Sequence, residues 1–125
     1  MHTMMATRTD FSAGESILTI ESVIEEAQRV GAEAVAITDT MSVTALVDFT
    51  NKAKKAGIKP IIGFEAYVAY GDRREREKPK DAPAEAAQLV ALARDRTGHR
   101  NLVRLTLAGH TGGVYRKPGL RHALR

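Results

Sequence analysis

The stretch AVAITDTMSVTALVDFTNKAKKAGIKPIIGFEAYVA, residues 34–69, decides the fold. Its first five residues, Ala34 to Thr38, are apolar and rich in β-branched side chains, the pattern of a short strand buried on both faces. DTMSVTALVDFTNKAKKAG then reads as a helix. Ser42 is the expected cap, Val43, Leu46, Val47 and Ala53 are expected to face the core, and Gly57 is placed to end the helix. KPIIGFEAYVAY predicts a second buried strand, with Pro60 near its start, where a missing N–H does least harm. Upstream, GESILTIESVIEEAQRVG predicts another helix. Thr19 can cap it, Glu21, Glu25 and Glu26 suit its first turns, and Ile20, Val23, Ile24, Ala27 and Val30 recur at helical spacing before Gly31. Helix, strand, helix and strand with short joins make the rhythm of an α/β domain with a parallel sheet.

The flanks are less regular. Met1 to Thr9 has no clear period. Gly71 to Pro83, GDRREREKPKDAP, is a polar loop and the best candidate for a mobile segment. Gln88 to Ala93 serves equally as a buried strand or as part of a helix. TGHRNLVRLTLAG predicts a helix capped by Thr97 and stopped at Gly109. The expected division is an α/β domain over residues 1–109 and a basic tail over residues 110–125.

Composition narrows the class. A chain of 125 residues with 43% hydrophobic and 27% charged residues fits one globular domain. No run reaches the ~18–20 apolar residues of a membrane span. MHTMMATRTD lacks the basic and apolar parts of a secretion signal. The absence of cysteine excludes disulfides and thiolate metal ligands, and a cytoplasmic location is expected. The net charge of +4 is uneven: residues 94–125 carry eight basic groups and one acid. Arg94, Arg96, Arg100, Arg104, Arg116, Lys117 and Arg121 are therefore the candidate contacts to nucleic acid or to an acidic protein, with a solvated arginine-rich end as the plain alternative.

Phosphate-binding glycine loops and the G-x-S-x-G nucleophile turn are absent. None of His2, His99, His110 and His122 stands at metal-binding spacing. What remains is positional, because parallel α/β sheets bind ligands beyond the C-terminal ends of their strands. Asp39 and Thr40 follow one strand, Glu65 lies in the next, and Glu15 follows the first segment. Each also has a structural reading: Asp39 as a helix cap, Glu15 as a surface acid, and Glu65 as a buried acid held by backbone donors. Unpaired burial of Glu65 costs several kcal/mol.

Residues 34–69 resemble the PHP (polymerase and histidinol phosphatase) domain that opens the α subunit of bacterial DNA polymerase III, whose pattern runs A-I-T-D-H, a helix, then K-A-G-I-K-P-I-I-G-x-E-x-Y-V. RTDFSAGES is similar to the family's H-S-x-[FY]-S-x-x-[DE]-G. QLVALARDRTGHRNLVRLTLAGHTGGVYRKPGL resembles its H-L-x-L-L-A-x-N-x-x-G-Y-x-N-L-x-x-L and the following G-x-Y-x-K-P. The resemblance implies a partial distorted βα barrel, with about four parallel strands and Gln88 to Ala93 as a strand. Active members hold two or three metals in a ring of His, Asp and Glu for phosphoester hydrolysis. Carried over, the H-x-H pair falls on Ala6 and Arg8, the His after T-D on Thr40, and the His opening the later strand on Gln88. Glu15 and Glu65 keep metal-binding chemistry, Asp39 is kept without being the main ligand of its motif, and the later ligands fall beyond residue 125. The expectation is a degenerate metal site, with no cofactor, in which Arg8 pairs with Glu15 or Glu65.

The family domain is about twice this length, and four strands do not close a barrel. Self-association, a folded-back tail or docking on a larger replication protein would cover the open sheet. Two functional classes stand. One is a non-catalytic module in DNA replication, repair or mobile-element biology, whose partner is a proofreading exonuclease or a polymerase subunit, with DNA ranked second and no membrane. The other is a residual phosphoesterase, phosphatase or 3′–5′ exonuclease-like, using Glu15, Glu65 and Asp39 or His2 with Zn, Mn, Fe or Mg. Polymerase activity does not fit in this length.

Overall fold

In a computed structural model, residues 2–68 and 87–112 are described. Along the chain lie β1 (His2–Met4), α1 (Ile20–Arg29), β2 (Ala32–Ile37), α2 (Leu46–Lys55), β3 (Lys59–Val68), β4 (Ala87–Leu92) and α3 (Arg96–Gly112). The strands form one sheet in the order β1-β2-β3-β4. β1, β2 and β3 are parallel. The fold is the α/β half-barrel that the sequence predicts, corrected first in the direction of β4. β4 is antiparallel to β3, Gly63 pairing with Leu92 and Val68 with Ala87. A parallel neighbour needs a crossover, usually helical, whereas an antiparallel one returns from the end where the first strand stops. The polar sequence between β3 and β4 has no apolar helical spacing to build such a crossover. β1 is a second departure: it forms where no period is legible, since three residues with a register shift after His2 carry too little pattern.

Strand register assigns the two faces of the sheet. Val35 aligns with Pro60 and Ile37 with Ile62, so these side chains share a face with Phe64 and Ala66. All three helices cover that face. Ile20, Val23, Ile24 and Ala27 of α1, with Leu46, Phe49 and Ala53 of α2, pack on Val35 and Ile37. Leu102 of α3 packs with Met41, Phe64 and Ala66. Phe49 and Phe64 are fully buried, and truncating either to Ala costs about 3–5 kcal/mol. The opposite face carries Ala34, Ala36, Thr38, Ile61, Gly63, Glu65 and Tyr67, with Val90 and Leu92 beside them on β4, by the same alternation. Its small residues suit the inside of a curled sheet, and its two large polar ones stand at the C-terminal end.

Local chemistry sets the element ends. Thr19 caps α1, its hydroxyl accepting from the Ser22 N–H at 3.2 Å, and Gly31 and Gly57 take positive φ after α1 and α2. α2 begins later than Ser42 predicts: Ala45 is its N-cap, with no side-chain hydrogen bond, and Ser42 accepts from the Thr44 N–H in the preceding turn. Val47 faces solvent, 75% exposed, rather than the core, because the helix phase set by Leu46, Phe49 and Ala53 turns it outward. α3 is capped by Asp95 rather than Thr97, the carboxylate accepting from the Gly98 N–H at 2.8 Å. It runs through Gly109, which is buried, to Gly112. The Gly71–Pro83 loop and the tail beyond Gly112 lie outside the described residues. Among those described, no helix is long and apolar enough to cross a membrane.

Gly63 pairs with Leu92 where β3 leaves no room for a side chain. A Cβ there would stand 2.6 Å from Leu92 Cδ2 and 2.7 Å from the Ala91 carbonyl oxygen. The carbonyl cannot move without breaking the β3–β4 pairing. Gly63→Ala is expected to cost about 1–3 kcal/mol, read as a lowered Tm.

Candidate functional site

Three segments meet where β2 and β3 end. After β1 the chain turns through residues 5–19, bringing in Arg8 and Glu15. After β2 it supplies Asp39 and Thr40. β3 supplies Glu65 and, two residues on and therefore on the same face, Tyr67. Backbone bonds lock the second segment to β3: the Glu65 N–H donates to the Asp39 carbonyl at 3.1 Å and the Met41 N–H to the Glu65 carbonyl at 2.8 Å. Met41 has φ of 49°, the one non-glycine in the left-handed region among the described residues. Burial of its side chain, 2% exposed, and that hydrogen bond hold it there.

Asp39 is 2% exposed and its carboxylate is fully engaged. It accepts from the Thr9 N–H at 2.6 Å, the Thr9 hydroxyl at 2.8 Å and the Ser12 hydroxyl at 2.8 Å. The Ser12 hydroxyl oxygen accepts in turn from the Thr40 N–H. Asp39 thus organises the loop before α1 and does not cap the helix after it.

Arg8 projects from that loop onto Glu65. Its Nε donates to Oε2 at 2.8 Å, and its Nη2 to Oε1 at 2.7 Å and to Oε2 at 2.6 Å. The partner of Glu65 is therefore this guanidinium rather than a backbone donor. Those hydrogen bonds hold the Arg8 pKa above its ordinary value, against the opposing effect of burial, with the charges of Glu65 and Glu15 adding to them. Glu15 lies 3.9 Å from Arg8 Nε. It accepts from the Thr40 hydroxyl and, at 2.9 Å, from the Tyr67 hydroxyl. Arg8, Glu15, Thr40, Glu65 and Tyr67 thus form one network with two acids and one cation.

The other positions singled out from sequence fall around this network or away from it. Ala6 is exposed and brings no donor atom. Gln88 is exposed on β4, in register with Tyr67; the antiparallel course of β4 brings its first residues to this rim. His2 is exposed on β1. Arg94 lies 3.9 Å from Asp95, and Arg96, Arg100 and Arg104 lie on α3, which packs on the other face of the sheet. Arg116, Lys117 and Arg121 lie outside the described residues. Tyr67, Thr9 and Ser12 were not anticipated. The two-residue spacing from Glu65 marks Tyr67, whereas Thr9 and Ser12 are joined to Asp39 only by the fold. Among the described residues, no three His, Asp or Glu side chains gather closely enough to hold a metal ion.

Residues 5–125 match the PHP domain family. This chain belongs to the PHP domain family. It is 37% identical over 122 residues to the DNA polymerase III subunit alpha of Deinococcus radiodurans, covering 93% of this chain and 9% of that subunit. The same subunit of Thermus aquaticus is 43% identical over 93 residues, covering 74% and 8%. The chain therefore spans less than a tenth of these relatives' length. Among solved structures, an amidohydrolase from Chromobacterium violaceum has a TM-score of 0.64 at 19% identity, over 90% of this chain and 34% of that one. That likeness supports the fold: the half-barrel is a partial PHP barrel.

Arg8→Met leaves Glu65, 7% exposed, as an uncompensated acid. Breaking a fully buried pair costs about 3–5 kcal/mol. The Arg8 side chain is 37% exposed, so about 2 kcal/mol is expected after solvent screening. Adding Glu65→Leu recovers most of the loss, which denaturant unfolding of the single and double variants measures. Asp39→Ala strands three donors and is expected to cost about 2–4 kcal/mol by the same measurement.

Proposed function

We propose that this PHP domain is a non-catalytic binding module of the DNA replication and repair machinery or of a mobile element, and not a metallophosphoesterase. The carrying observation is the Arg8 guanidinium seated on both oxygens of Glu65. A divalent cation held by Glu65 would have to displace a charge-assisted, multiply bonded partner and then sit beside its positive charge. The remaining positions offer little in exchange. Ala6 has no donor atom, and Thr40 and Gln88 offer a hydroxyl and an amide where imidazole would bind far better. The residues present do not fit the family's metals.

The relatives are replicative polymerase subunits, which supports a partner from the same machinery, such as a proofreading exonuclease or a polymerase subunit, in the cytoplasm. Self-association through the open sheet is a subsidiary proposal, read by light scattering at micromolar concentration.

Purified protein is expected to carry only substoichiometric Zn, Mn, Fe or Mg by elemental analysis, and added Mn is expected to elicit no phosphoesterase activity above background. One bound metal per chain with Mn-dependent hydrolysis would overturn the proposal in favour of the phosphoesterase.

A further inference from the structure

α3 departs from the charge pattern of the other two helices. α1 and α2 each place an acid in the first turn and bases in the last, as the helix dipole favours. Arg29 pairs with Glu26, and Lys52 with both Glu21 and Asp48, while Lys54 and Lys55, exposed and without an ion pair among the described residues, stand at the C-terminal end that the dipole favours for cations. α3 has no acid in its first turn. Arg96, Arg100 and Arg104 recur on it at four-residue spacing, about 6 Å apart along the axis. All three are exposed, and among the described residues none has an ion-pair partner. Like charges at this spacing repel, and the first lies at the positive end of the dipole.

The same face exposes apolar surface. Leu102 and Gly109 are buried against the sheet side, whereas Val103 is 41% and Leu107 61% exposed. At about 100° per residue, Leu107 falls between Arg96 and Arg100 around the helix and Val103 about 20° beyond Arg96. Arginines around apolar side chains make the composition of a protein interface. Contact with a phosphate backbone needs the cations alone.

We propose that the outer face of α3 is a docking surface for an acidic amphipathic helix of a partner protein, carboxylates meeting Arg96, Arg100 and Arg104 and apolar anchors meeting Val103 and Leu107. The proposal rests on the reading of this domain as a binding module and supplies its surface and the partner's chemistry.

The test titrates the full chain by fluorescence anisotropy with three probes. One is a designed helix with Glu at four-residue spacing and Leu between, the second is its charge-matched form with Ser for Leu, and the third is a short DNA duplex. The first is expected to bind at least about tenfold tighter than either other probe. Arg100→Glu/Arg104→Glu and Leu107→Ser should each weaken it about tenfold, while Lys54→Glu/Lys55→Glu on α2 leaves it unchanged. Every changed residue is exposed, and unchanged circular dichroism verifies folding. Absent or equal binding of the two peptides, insensitivity to the α3 variants, or tighter binding of DNA overturns the proposal. These readouts do not depend on metal content, so a failure here is distinguishable from stoichiometric metal, which would reject the non-catalytic reading instead.

Discussion

A carboxylate in the middle of a buried strand must be neutralised where it stands, and that constraint shapes the whole rim. Glu65 is 7% exposed, and β3 gives it no freedom to reach water, because its backbone pairs with the Asp39–Met41 segment on one side and with β4 on the other. The compensating charge has to come from elsewhere in the chain. Arg8 meets this need with a planar fork that engages both carboxylate oxygens. Such a clasp works only if its loop is held in register, and the loop's large apolar side chains, Met5, Phe11, Ile17 and Leu18, are exposed rather than packed to hold it. Asp39 supplies the anchor. Two residues of polar chemistry, one buried acid gripping the loop and one arginine returning a charge to the neighbouring strand, therefore tie β2, β3 and the β1–α1 loop into one unit.

Much of this fold could be read from the sequence because its core obeys simple periods. The burial of Ile20, Val23, Ile24 and Ala27 follows a helical repeat, and Val35 and Ile37 follow a strand repeat. Glycines at positive φ mark the ends of α1 and α2. The departures arise where a tertiary contact outweighs a local pattern. Val47 belongs to an apolar-looking face until the burial of Phe49 fixes the helix phase. Thr97 has the chemistry of a cap, but Asp95, two residues earlier, takes the Gly98 amide. The direction of β4 is not encoded in β4 at all, since a strand reads identically in either direction. The connection before it decides the outcome.

The rim was legible in part. Positions beyond parallel strands draw attention to Glu65, Thr40 and Glu15 on topology alone, and Arg8 brings a fixed positive charge to two acids. The share of each acid was not legible. Arg8 binds Glu65 closely and stands 3.9 Å from Glu15, leaving Glu15 to the hydroxyls of Thr40 and Tyr67. Asp39 was placed correctly in the chain but given the wrong client, because sequence proximity favours the following helix whereas the fold delivers Thr9 and Ser12 from thirty and twenty-seven residues away.

The two polar regions of the molecule contrast in how their charges are used. At the rim, every named acid and the arginine find partners inside the domain, so the network is satisfied by itself. Along α3 the reverse holds, because three arginines are gathered against their mutual repulsion and exposed beside apolar side chains, with no acid on the helix to offset them. Like charges at four-residue spacing disfavour the isolated helix, and exposed Val103 and Leu107 disfavour its solvation. Carboxylates and apolar groups arriving together would offset both terms, which is the physical basis of the proposed docking on α3, whereas the rim has no such surplus to offer.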